Sequence, residues 1–140
     1  MSVRPTVVLA IVAVLVVALA VVAAVVSGGR ERPTPDASTP EGVVQLYAST
    51  LFDGNVAAAV EHLDPALGCT DPLPEVYLPD TARIAVVEST SDGTTARVGL
   101  RIEEGSGING GWSHREDFTL RRESGTWLIT GTPWPIYECQ

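Results

Sequence analysis

His114 and Glu116 stand two residues apart in a segment, His114 to Arg122, where polar and apolar side chains alternate. In a strand that spacing puts both on one face. An imidazole beside a carboxylate can act as a general base, provided burial brings its pKa toward neutrality. The competing reading of His114-Arg115-Glu116-Asp117 is a solvated strand start paired with arginines of the neighbouring strand. No third group completes a catalytic set. No serine sits in a nucleophile-elbow pattern. Asp64, Asp71 and Asp80 are scattered among prolines, and His62 ends a predicted helix where it complements the dipole. The glycine-rich run from Gly105 to Gly111 lacks lysine and does not join a strand to a helix, so it is no phosphate loop. Neither a metal nor a cofactor is expected.

Trp112, Trp127, Trp134 and Tyr137 gather in the C-terminal half. Core and edge packing is one reading. A partner-binding patch of Trp112, Trp134 and Tyr137 beside the glycine-rich run is the other. Cys69 and Cys139 match neither a Cys-x-x-Cys redox motif nor a four-ligand zinc site, and an oxidising compartment would pair them. Two buried free thiols are the alternative.

These residues must be held by a scaffold, and the most insistent sequence feature lies far upstream. Val7 to Val26 contains only Val, Ala, Leu and Ile. As a helix it would be about 30 Å long, the thickness of a bilayer's hydrocarbon core. The run exceeds a signal-peptide core and has no convincing cleavage site behind it, which predicts a retained anchor. Arg4 on one side against Arg30 and Arg32 on the other nearly balance under the positive-inside rule. The short N-terminus, the proline-rich spacer and the two cysteines favour an exported body over a cytoplasmic one. The expected organisation is a cytoplasmic tail (1–5), a transmembrane anchor (6–26), a flexible linker (27–39) and an extracytoplasmic domain (40–140). The expected localisation is therefore a single-pass cell-membrane protein, its partners the membrane and a protein of the bacterial envelope. The domain's six arginines face fifteen acids between Glu41 and Glu138, a net charge near −9. That charge repels phosphate backbones and argues against nucleic-acid binding.

Within the domain, Thr39-Pro40-Glu41 reads as a helix start, and Val43, Leu46, Tyr47, Thr50 and Leu51 form its apolar stripe. Asp53-Gly54-Asn55 stops that helix and caps a second, Val56 to Leu63, with Ala59, Val60 and Leu63 inward. Ala66 to Thr81 is a crossing loop under which Leu73, Val76, Tyr77 and Leu78 would pack. Four strands follow: Arg83–Thr90, Thr95–Glu103, His114–Arg122 and Thr126–Thr132. Ser91-Asp92-Gly93 and Glu123-Ser124-Gly125 form the turns. The fold class is α+β, two helices packed on a four-stranded antiparallel sheet.

TPEGVVQLYASTLFDGN, then VAAAVEHL, then FTLRRESGTWLITG resembles the NTF2-like (cystatin-like, SnoaL-type) α+β superfamily, in the form of its small membrane-tethered actinobacterial members. The resemblance implies a cone-shaped pocket in which isomerases, dehydratases and cyclases place a His or carboxylate base, here His114 or Glu116. Three functions follow as expectations: a non-catalytic binding or accessory domain, a pocket enzyme, and a small-ligand binder. The first is favoured because no catalytic motif is present.

Overall fold

Thr39 opens the ordered helix of the domain by the chemistry its sequence announces. Its hydroxyl accepts from the Gly42 N–H at 3.1 Å, Pro40 occupies the first turn, and Glu41 lies at the positive end of the dipole. In this computed structural model, residues 5–28, 34–73, 77–79, 81–105, 111–137 and 139 are described. The chain falls into two units, Met1–Thr34 and Pro35–Gln140.

In the first unit, helix α1 spans Pro5–Gly28. Its side chains are described at Val8, Leu9 and 11–21, all exposed. Among the described residues no helix is long and apolar enough to cross a membrane. The expected transmembrane anchor, and with it the single-pass cell-membrane localisation, is corrected by that finding. The expectation rested on counting apolar residues along the sequence, which makes a segment only a candidate span.

In the second unit, α2 (Pro40–Phe52) is followed by α3 (Val56–Val60) and a 3-10 turn at Pro65–Leu67. Gly54, at φ 73°, makes the break, and the Asn55 side chain accepts from the Ala58 N–H at 3.2 Å. The antiparallel sheet has the order β1 (Ala82–Ser91), β2 (Thr95–Glu104), β3 (Trp112–Glu123), β4 (Thr126–Thr130). At the first hairpin the Asp92 carboxylate accepts from the N–H groups of Thr94 and Thr95, at 2.8 and 2.6 Å, and from both hydroxyls. These bonds favour the ionised form, so its pKa lies well below the carboxylate range. Beyond α3, Asp64 N–H donates to the Ile129 carbonyl and Ile129 N–H to the His62 carbonyl, so this short segment covers the free edge of β4.

The core lies between the helices and one face of the sheet. Val43, Val44, Tyr47, Ala48 and Leu51 of α2 and Ala59 of α3 are buried with Val98, Leu100, Ile102, Phe118, Leu120, Trp127 and Ile129. Tyr47 meets Phe118 edge-on, ring centroids 6.0 Å apart, and burial pushes its phenol pKa up. The buried stripe of α2 is turned from the expected one. Val44 and Ala48 lie inside while Leu46 and Thr50 are half-buried, and the Thr50 hydroxyl bonds back to the Leu46 and Tyr47 carbonyls. Val60 is likewise half-buried.

In the crossing loop, Leu73 and Leu78 pack against the core, but Tyr77 is 79% exposed, contrary to expectation, and Val76 lies outside the described residues. A segment without a regular period lets a phenol turn to water. Strand β3 begins at Trp112 rather than His114, and β4 ends at Thr130 rather than Thr132. The earlier start matters, because it places Trp112 in register opposite Glu104.

Candidate functional site

Alternation along β3 puts Trp112, His114, Glu116, Phe118 and Leu120 on one face. Phe118 and Leu120 belong to the core. Toward the start of the strand a different cover takes over, the segment Pro133–Tyr137. Ile136 and Tyr137 N–H both donate to the Pro133 carbonyl, at 3.0 and 2.9 Å, which curls this segment into a turn. Trp134 and Ile136 are buried by it. Trp134 packs on Phe52 from α2 at a centroid distance of 5.9 Å, so the tail is anchored to the helix layer.

The imidazole of His114 lies in the cluster that results. It stacks on Trp112, centroids 4.6 Å apart, and meets Trp134 at 5.9 Å. Glu104 and Glu116 flank it: Glu104 Oε1 lies 3.9 Å from Nδ1, and Glu116 Oε1 lies 3.7 Å from Nε2. Neither distance is a hydrogen bond. Nδ1 is buried without a hydrogen-bond partner. Tyr137 donates its hydroxyl to Glu116 Oε1 at 3.3 Å. Partial burial, then the neighbouring Glu116 charge, holds that phenol above its ordinary pKa.

Every residue singled out from sequence for this region therefore meets in one place: His114, Glu116, Trp112, Trp134 and Tyr137. Their roles differ. Trp134 is 7% exposed and packs inward, while Trp112 and Tyr137 are 64% and 49% exposed and present ring faces to solvent. Glu104 was missed, although the signal was present: it continues the Ala96, Val98, Leu100, Ile102 face by one more step of two. The solvated, arginine-paired reading of the strand start describes the alternate residues instead. On the outer face, Arg115 binds Glu88 at 2.8 Å and Asp117 at 2.8 Å.

A second polar centre was also missed. Asp64, only 5% exposed, accepts from the Ala66 N–H at 2.9 Å and binds the Arg121 guanidinium through both oxygens. Hydrogen bonds from Arg121 and from Ala66 hold its carboxyl below the usual range. His62 is half-buried, and desolvation lowers its pKa against the opposing charge of Glu61.

Cys69 and Cys139 form a disulfide, Cα atoms 4.9 Å apart across a separation of 70 residues. It lines a cavity of about 290 Å³ with Leu67, Pro133, Ile136 and Tyr137. Another, of about 570 Å³, lies by Asp92, Arg97 and Arg121. Neither is lined by His114 or Glu116. Among the described residues no group of three or more His, Cys, Asp or Glu side chains could hold a metal ion.

No family model and no curated protein matches the chain. Among solved structures it is similar to the solution structure of a SEC-C motif containing protein from Rhodopseudomonas palustris. The identity is 18%, the TM-score 0.50, and the match covers 68% of this chain and 77% of that one. At this identity the likeness shows the fold alone. It overturns the resemblance to the NTF2-like superfamily. The features behind that resemblance, a helix, an Asp-Gly-Asn turn, a second helix and a late hairpin, are local and recur in α+β folds of different descent.

Proposed function

We propose that the unit Pro35–Gln140 is a non-catalytic binding module that takes a protein partner on the patch formed by Trp112 and Tyr137 over His114. One observation carries this reading: an indole 64% exposed is nevertheless held in place by stacking on a half-buried imidazole. A large ring presented rigidly to solvent loses little conformational freedom on binding, which is the character of an interface anchor. The arrangement suits a pocket enzyme less well. A base at His114 or Glu116 needs space for substrate at hydrogen-bond distance, and the cavities described above lie elsewhere.

The test is capture of partners by the immobilised full chain and its variants, read by mass spectrometry. The native chain and Arg97→Ala, altered on the outer sheet face, are expected to retain the same protein. Trp112→Ala and Tyr137→Ala are expected to lose it. An identical captured set for all four would overturn the proposal.

A further inference from the structure

Glu104 and Glu116 share the covered face of the sheet with the exposed ring of Trp112, and among the described residues no arginine pairs with either. Of the six arginines in the second unit, Arg83, Arg97, Arg101, Arg115 and Arg121 stand at outer-face register positions. The sixth, Arg122, lies over Trp127 at 5.6 Å, at the opposite end of β3 from Trp112. The chain has no lysine. Among the described residues, the ion-pair partners of both carboxylates are limited to His114, at distances beyond hydrogen bonding. His114 Nδ1, between Glu104 and the indoles, is buried and unpartnered. An anionic pair, an unpartnered ring nitrogen and two exposed aromatic faces thus stand together on a protein of net charge −8.

Resting on the binding-module reading, we infer that this patch recognises an organic cation, the guanidinium or ammonium group of a basic side chain on the partner. The ring face of Trp112 supplies the quadrupole that attracts a cation, and Tyr137 offers a second face. Glu104 and Glu116 supply the formal charge. Their spacing on neighbouring strands, with Trp112 directly opposite Glu104, lets one planar guanidinium reach a carboxylate while lying over the indole. An arginine fits this geometry better than a lysine, because its flat fork can stack and donate at once.

The experiment titrates the isotope-labelled full chain with blocked tripeptides carrying a central arginine, lysine, citrulline or glutamate, and separately with tetramethylammonium chloride. The indole N–H resonance of Trp112, assigned through Trp112→Phe, is followed. The arginine peptide is expected to move it saturably, the lysine peptide more weakly, and the neutral citrulline and acidic peptides not at all. Glu104→Gln and Glu116→Gln keep the side-chain shape and remove the charge, and each is expected to weaken binding roughly three- to tenfold. Added salt is expected to weaken it further.

Equal responses to arginine and citrulline would overturn the inference. So would a response to tetramethylammonium without one to either basic peptide. If the arginine peptide gives no shift while Trp112→Ala still abolishes partner capture, the cation falls and the binding module stands. If capture is also indifferent to Trp112, both fall.

Discussion

The indole of Trp112 lies over the imidazole of His114 with their planes 27° apart. The two residues are i and i+2 on one strand face, so the stack is built by strand geometry itself and needs no loop to hold it. It fixes an exposed ring at a sheet end whose other cover, Pro133–Tyr137, is tied down by a disulfide two residues beyond. The binding patch and the covalent staple therefore belong to one structural unit.

Trp112→Ala should change the stability of the second unit little, by about 0.5–1 kcal/mol, because an exposed ring contributes mainly its stacking contact. Urea unfolding followed by circular dichroism measures this. A loss several times larger would mean the indole is a core element rather than an anchor.

Leu100→Ala should cost about 2–5 kcal/mol. Leu100 is fully buried between the sheet and the helices, where a lost isobutyl group leaves a cavity that β2, held on both sides, cannot collapse. The same urea experiment reports it, and a loss below about 1 kcal/mol would contradict the packing described.

Cys139→Ser should lower the melting temperature and loosen the tail while leaving the sheet intact. Opening a loop of 70 residues restores unfolded-state entropy worth about 4 kcal/mol on the chain-entropy model. Hydrogen exchange should show local opening at Ile136 and Tyr137, whose N–H groups are bonded within the tail turn, while Val98 and Phe118 still exchange only through global unfolding. Because Tyr137 bonds Glu116, the Trp112 indole resonance should shift too.

Acidification should reveal the Asp64–Arg121 pair. The folded pKa of Asp64 is depressed, so between it and the ordinary value near 3.8 the unfolded chain binds the extra proton. The stabilisation is complete above about pH 4 and is lost as pH falls through the folded value. Asp64→Asn should be less stable than the native chain at neutral pH, and its stability should fall less steeply below pH 4. Thermal melts across that range test this, and parallel acid limbs for the two proteins would refute it.

Local chemistry was legible in the sequence wherever it depended on neighbours in the chain. The Thr39 cap, the Gly54 break, the Asp92 turn and the period-two face from Ala96 to Ile102 each follow from a few adjacent residues, and the structure has them all. The twist of the α2 stripe toward Val44 and Ala48 was not legible, because a 3.6-residue period leaves its centre uncertain by one position until a partner surface is present. The family resemblance misled for a related reason: the order of elements and a few local turns do not state how a fold is built in three dimensions. What tertiary structure alone decided was the company His114 keeps. The register that sets Trp112 against Glu104 is a property of two paired strands, and the cover over His114 comes from a tail twenty residues onward, docked on Phe52. The sequence by itself determined which side chains share a strand face, since that needs only alternation. Their assembly into one patch required long-range packing, because burial and pairing energies are realised only between surfaces that folding brings together.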